Sequence, residues 1–182
     1  IHVRMMGRVQ QEIFRSLVQQ RFSLDVTLSD QRIFYKETIE NTVEGVGHFE
    51  PLRHYAEVHL LLEPLPAGSG LVFGTVCPTD VLDVNYQRLI LTHLMEKRHP
   101  GVLTGAPITD IRFTLVSGKA HLKHTEGGDF REATCRAIRN ALMQAENVLL
   151  EPVVRFELAM PSEALARVTG ELLRIGAQLD AS

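Results

Sequence analysis

Between Gly118 and His124 the chain reads Gly118-Lys119-Ala120-His121-Leu122-Lys123-His124, with two lysines, two histidines and no acid. Lysine offers a compact charge for phosphate, and neutral imidazole offers a stacking face and hydrogen bonds for exposed bases. Thr125-Glu126-Gly127-Gly128-Asp129-Phe130 follows, a composition that suits a turn and a helix N-cap. A solvated strand-to-helix turn would use the same residues, so the rest of the chain must decide between the two.

Other chemistries find less support. His121 and His124 could ligate a metal only with a third donor such as His48, His54 or Asp129, and Lys123 between them would oppose a dication. No metal is therefore predicted. No G-x-x-x-x-G-K-S/T run is present, so the chain has no phosphate cradle for a nucleotide, and no serine sits in a nucleophile-elbow pattern. Asp80 and Asp83 read as the N-terminus of the helix they precede. No catalytic residue and no cofactor site are assigned.

The chain has 182 residues, 45% hydrophobic and 23% charged, with a net charge of −3. That composition is globular, and the slight negative balance confines any nucleic-acid contact to a local patch. No apolar run approaches the roughly 18 residues of a membrane span. Cys77 and Cys135 lack metal or redox spacing and read as core residues of a reduced, cytoplasmic protein.

Around the basic run, periodicity supplies the elements. Residues 1–5 alternate as a strand, 8–22 carry a helical apolar stripe, and 24–28 alternate again, giving a strand–helix–strand unit. Strands are predicted over 34–39, 42–46, 56–65, 71–76 and 108–116, with a loop at 49–54 where Pro51 disfavours a central strand. Helices are predicted over 83–98, stopped by His99-Pro100-Gly101, and over 131–146, with Ala133, Ala137, Ile138, Ala141, Leu142 and Ala145 inward. Residues 148–160 read as extended, and 162–177 as a last helix capped by Ser162. Opening inside one strand and closing after a helix, the chain reads as a piece of a longer protein.

Several short runs, in order, resemble the elongation factor G class of translational GTPases. Met6-Gly7-Arg8-Val9-Gln10-Gln11-Glu12-Ile13 resembles a helix start in the third domain of that family, and Tyr35-Lys36-Glu37-Thr38-Ile39 is similar to the run that opens the fourth. Leu62-Glu63-Pro64-Leu65 with Gly68-Ser69-Gly70 resembles the family's E-P-L-x-x-G-S-G turn. Leu149-Leu150-Glu151-Pro152 resembles its L-L-E-P junction, and Met160-Pro161-Ser162-Glu163 a helix start in the fifth domain. The resemblance implies an α+β fold. Residues 33–150 would form a βαβ domain of ribosomal-protein type with a left-handed crossover, against the usual handedness. Residues 1–32 and 151–182 would be two partial ferredoxin-like domains.

It also implies a ribosome-binding piece whose tip reaches the decoding centre of the small subunit. The GTPase domain, with GTP and magnesium, would belong to the parent protein, so this piece would be no enzyme. On that basis Lys119, His121, Leu122, Lys123, His124 and Thr125 of one tip loop, and Arg53 and His54 of the other, are the candidate rRNA contacts. Elongation factor G itself carries a glycine-rich run, G-G-R-G-Q-Y-G, where this chain has Phe49-Glu50-Pro51-Leu52-Arg53-His54-Tyr55-Ala56. A glycine-free loop with proline resembles the tetracycline-resistance ribosomal protection proteins, as do Val9-Gln10 and Asp129-Phe130-Arg131. The second loop departs from both branches. It lacks the protection proteins' Y-S-P-V-S-T-P, and His121 falls where the translocase keeps a tip histidine while Leu122 replaces the acid that follows it there. Drug displacement is the first expectation, a translocase or its paralogue the second, and a stand-alone RNA-binding module the third. The truncated flanks are also expected to self-associate, and no membrane partner is expected.

Overall fold

The computed structural model describes residues 3, 5, 7–29 and 33–178. Contacts divide the chain into two compact units, residues 1–152 and 153–182. In the first unit the elements are α1 (Arg8–Phe22), β1 (Lys36–Ile39), β2 (Val43–Phe49), β3 (Ala56–Pro64), β4 (Leu71–Thr75), α2 (Val84–Met95), β5 (Ile111–Ala120), α3 (Gly127–Gln144) and β6 (Asn147–Leu150). The second unit holds a short 3-10 turn, Ser162–Ala164, leading into α4 (Leu165–Arg174). The fold is α+β.

Four strands form the main sheet in the order β2-β3-β5-β4, antiparallel except for the parallel β4–β5 pair that α2 connects. Along β3 the burial alternates strictly, so Ala56, Val58, Leu60 and Leu62 face the core and Glu57, His59 and Leu61 face the other side. Phe113 and Leu115 of β5, Ile90 and Leu94 of α2, and Phe130, Ala137 and Leu142 of α3 complete that core. A separate antiparallel pair, β1 with β6, ties the two ends of this region together, Lys36 opposite Leu150 and Ile39 opposite Asn147.

Helix α3 lies unusually close to β2. A Cβ built at Gly47 would fall on the Ala133 carbonyl oxygen, and one at Gly45 on the Ala137 carbonyl and the Ala141 side chain. The alanine stripe of α3 and the two glycines of β2 therefore let backbone meet backbone. The same helix covers the outer edge of that strand. Arg136 donates to the His48 carbonyl (2.9 Å), Asn140 accepts from the Val46 N–H (3.0 Å), and Gln144 reaches the Glu44 carbonyl (3.5 Å). Four residues of helix rise about 6 Å and two residues of strand about 6.6 Å, so positions four apart on α3 match positions two apart on β2. An edge strand whose polar groups are occupied in this way is closed to a further strand.

Glu37 organises the loop before β5. Its fully buried carboxylate accepts from the N–H groups of Leu103 (2.9 Å), Thr104 (2.8 Å) and Ala106 (3.1 Å) and from the Thr104 hydroxyl (2.9 Å). Burial alone would push its pKa up, but these four donors outweigh burial and hold it below the ordinary value.

Several elements differ from the sequence reading. Strand β5 continues to Ala120, so Gly118 and Lys119 belong to the ladder, with Lys119 opposite Glu57, and not to a loop. Helix α3 starts at Gly127, not Arg131, because Asp129 accepts the Glu126 N–H at 2.8 Å and closes the first turn from inside. Residues 24–28 form no strand, since alternation becomes a strand only where a partner supplies ladder bonds. Ser162 lies inside the 3-10 turn, and Pro161 holds the cap position without a side-chain bond. On α2 the apolar Val84 and Met95 are 39% and 60% exposed, while the polar Gln87 and His93 are buried. The Gln87 amide donates to the Cys77 and Leu82 carbonyls, which accounts for its burial. The strand expected over 1–5 lies largely outside the described residues.

Candidate nucleic-acid interface

Two loops leave the same end of the sheet: residues 50–55 between β2 and β3, and residues 121–126 between β5 and α3. Ala56 and Ala120, which bound them, are register partners. The second loop winds around His121. Its carbonyl accepts the N–H groups of His124 (3.1 Å) and Thr125 (3.0 Å), its N–H donates to the Thr125 hydroxyl (2.7 Å), and its Nδ1 accepts from the Lys123 N–H (3.3 Å). With Nδ1 accepting, the neutral ring carries its proton on Nε2. The His121 and His124 rings stack at 4.5 Å between centroids, 22° apart.

The first loop is bound to the second through Tyr55. The Tyr55 N–H donates to the His124 carbonyl (2.9 Å), and the Tyr55 carbonyl accepts from the Thr125 hydroxyl (2.6 Å). His54 faces the helix instead. Its Nδ1 lies 2.9 Å from Oδ1 of buried Asp129, at ion-pair distance but off the line of a hydrogen bond. Asp129 thus caps α3 with one oxygen and meets the first loop with the other. Leu52, at φ 52°, and Leu122 are fully exposed, one in each loop.

Of the predicted contact residues, the structure brings His54, His121, Leu122, His124 and Thr125 into one tied tip, with Arg53 and Lys123 exposed on its two loops. Lys119 stands apart on β5, its Nζ 5.9 Å from the Tyr55 ring centroid, at the outer limit of a cation–π contact. Acids missing from the linear run are brought in by neighbouring strands and by the first loop. The Tyr55 hydroxyl donates to Glu57 (3.1 Å), His48 pairs with Glu50 (3.2 Å), and His59 sits between Glu44 (3.0 Å) and Glu57 (2.9 Å). Burial disfavours the charged His59 ring, yet the hydrogen bonds and charges of Glu57 and Glu44 prevail and raise its pKa. The hydrogen bond from His59 is the main reason the Glu57 pKa is lowered. Sequence reasoning missed Tyr55, and it read Asp129 as cap chemistry or a metal donor without its contact to His54. The E-x-x-D spacing of Glu126 and Asp129 signals the cap, whereas nothing local signals the tie through Tyr55.

Among the described residues no three His, Cys, Asp or Glu side chains gather as a metal site, and no helix is long and apolar enough to cross a membrane. The arrangement suits contact with a polyanion through two joined loops, with cations at the rim and imidazole faces between them.

The family profile for elongation factor G, domain IV, matches residues 31–146, from just before β1 to the end of α3. The chain belongs to that family. It is 28% identical over 173 residues to "Elongation factor G 2" of Syntrophus aciditrophicus (strain SB), a match that covers 92% of this chain and 25% of the relative. A crystal structure of a protein from Thermus thermophilus superposes with a TM-score of 0.79 at 26% identity, over 92% of this chain and 26% of that one. The chain thus spans about a quarter of the length of the curated relative it matches. In this domain IV the family match covers the whole four-stranded sheet with α2 and α3, so both loops of the tip fall within it.

Proposed function

We propose that this domain IV carries its two-loop tip to the decoding centre of the small ribosomal subunit, as part of a cytoplasmic translational GTPase that dislodges tetracycline. The observation that carries the reading is the cross-tie of Tyr55 to His124 and Thr125, which makes one platform of two loops. A probe that must displace a bound molecule gains from such stiffness, because a loose loop would lose ordering entropy on docking. Lys119 and Lys123 act as point charges on phosphate. His121 and His124, already stacked on each other, offer a ring face to an exposed base. The glycine-free loop around Pro51 favours drug displacement over translocation. GTP and magnesium would be held by other parts of the parent, since the sequence carries no G-x-x-x-x-G-K-S/T run.

The test is the tetracycline minimum inhibitory concentration of cells expressing the full-length parent. It should rise with the unaltered protein and fall back with the His121→Ala, His124→Ala double variant, while ribosome binding changes little. Replacing Lys119 or Lys123 by Ala should weaken ribosome binding and flatten its salt dependence by about one counterion each.

The second reading, a translocase or its paralogue moving tRNA and mRNA, is supported by the likeness to "Elongation factor G 2" and by His121 at the tip. No change in drug tolerance together with GTP-dependent translocation by the parent would favour it.

A further inference from the structure

A cavity of about 250 Å³ opens between the loop that follows α2 and the C-terminal half of α3. Ile138 and Leu142 are buried and give it an apolar floor, and the thiol-bearing Cys135 forms part of its wall. Lys97, Arg98 and Arg139 also line it, and no acid does.

Other exposed arginines of α3 are engaged. Arg131 pairs with Glu96 at 3.2 Å, and Arg136 donates to His48 and lies 5.1 Å over the Phe49 ring. Among the described residues, the side chains of Lys97, Arg98 and Arg139 make no ion pair and no hydrogen bond. The dipole of α2 explains cations just past its C-terminus at Met95, which covers Lys97 and Arg98. It does not explain Arg139, inside α3, joining them around an apolar floor. Three cations of like sign around one concavity repel one another, and an anion seated among them removes that cost.

We propose that this cavity binds a small amphipathic anion, a carboxylate or sulfonate on an apolar body the size of a short acyl chain or a single ring. An inorganic anion would leave the floor unfilled, and a neutral hydrocarbon would leave the cations unmatched. The volume lies below the roughly 300 Å³ at which pockets for drug-sized ligands begin, which sets the size of the apolar body. The site uses none of the tip residues, and its assignment stands apart from the ribosomal reading.

Cys135 reports occupancy from the wall of the cavity. Iodoacetate and iodoacetamide both alkylate a thiolate, forming the S–C bond and releasing iodide, but only the first is an anion. On the full 182-residue chain, peptide mass spectrometry would follow both rates at Cys135, with buried Cys77 as reference. The iodoacetate-to-iodoacetamide rate ratio at Cys135 should exceed that of a free small thiol by about tenfold, as a focused positive field predicts. Millimolar hexanoate should protect Cys135 from both reagents, and hexanol and acetate much less. Arg139→Gln or Arg98→Gln, at exposed positions that leave the core intact, should lower the ratio and weaken hexanoate protection about tenfold, the usual scale for a lost charged hydrogen bond. A ratio matching a free thiol, equal protection by hexanol or acetate, or indifference to Arg139→Gln would overturn the proposal.

Discussion

The hydroxyl of Thr125 accepts from the His121 N–H and donates to the Tyr55 carbonyl, so one oxygen closes the second loop and joins it to the first. Thr125→Val keeps the shape and removes both bonds. It should cost about 1–2 kcal/mol in urea denaturation and speed amide exchange at Tyr55, whose N–H depends on the same joint. Unchanged exchange at Tyr55 would mean that the loops hold together by other means. His59 offers a second test at this scale, because its folded pKa is raised by Glu57 and Glu44 and opposed only by burial. A raised folded pKa gives stability that is fully present below the unfolded value, near pH 6.5 for imidazole, and lost as pH rises through the folded value. Glu57 works in the opposite sense, with a lowered pKa whose contribution fades as pH falls through it. His59→Gln should therefore destabilise the chain more at about pH 6 than at about pH 8.5, measured by the urea midpoint across pH. Equal losses at both would leave the network with no electrostatic role.

Among the elements, α3 decides the most. It covers the core, caps the β2 edge with Arg136, Asn140 and Gln144, and presents Asp129 to the first tip loop. Its closeness to β2 depends on Gly45 and Gly47, whose role is space: neither has a positive φ. Gly47→Ala should force α3 outward and cost about 3 kcal/mol, at the upper end of overpacking. Gly74→Ala on β4, where a Cβ would meet nothing within 4 Å, is the matched control and should be near neutral. Chemical denaturation of the two variants side by side makes the comparison. Similar costs for both would show that backbone entropy, not the helix contact, sets the requirement for glycine.

On the scale of the whole molecule, apolar surface is concentrated outside the sheet. On α1, Val9, Ile13 and Phe22 are more than half exposed, and no residue of that helix is buried. In the second unit Val153, Leu158, Leu173 and Ile175 are likewise more than half exposed. Patches of this kind associate in water. The isolated chain should self-associate at micromolar concentration in light scattering, and Ile13→Glu with Leu173→Glu should shift it toward monomer. A strict monomer before any substitution would show that these faces tolerate solvent as they are.

The amino-acid sequence by itself determined the order of the elements from β1 to α3, the inward stripe from Ala133 to Leu142, the family, and the residue types gathered at the tip. Each depends on neighbours along the chain, through periodicity or a short run of identities. What only the tertiary structure decided are the features set by a partner distant in sequence. Strand β5 reaches Ala120 because β3 supplies its ladder, residues 24–28 stay outside any ladder, and Lys119 stands opposite Glu57. The hydroxyl of Thr125 is taken up by a carbonyl 70 residues away. Hydrogen-bond satisfaction and strand register are settled between segments, and local composition carries no record of which segment will be the neighbour.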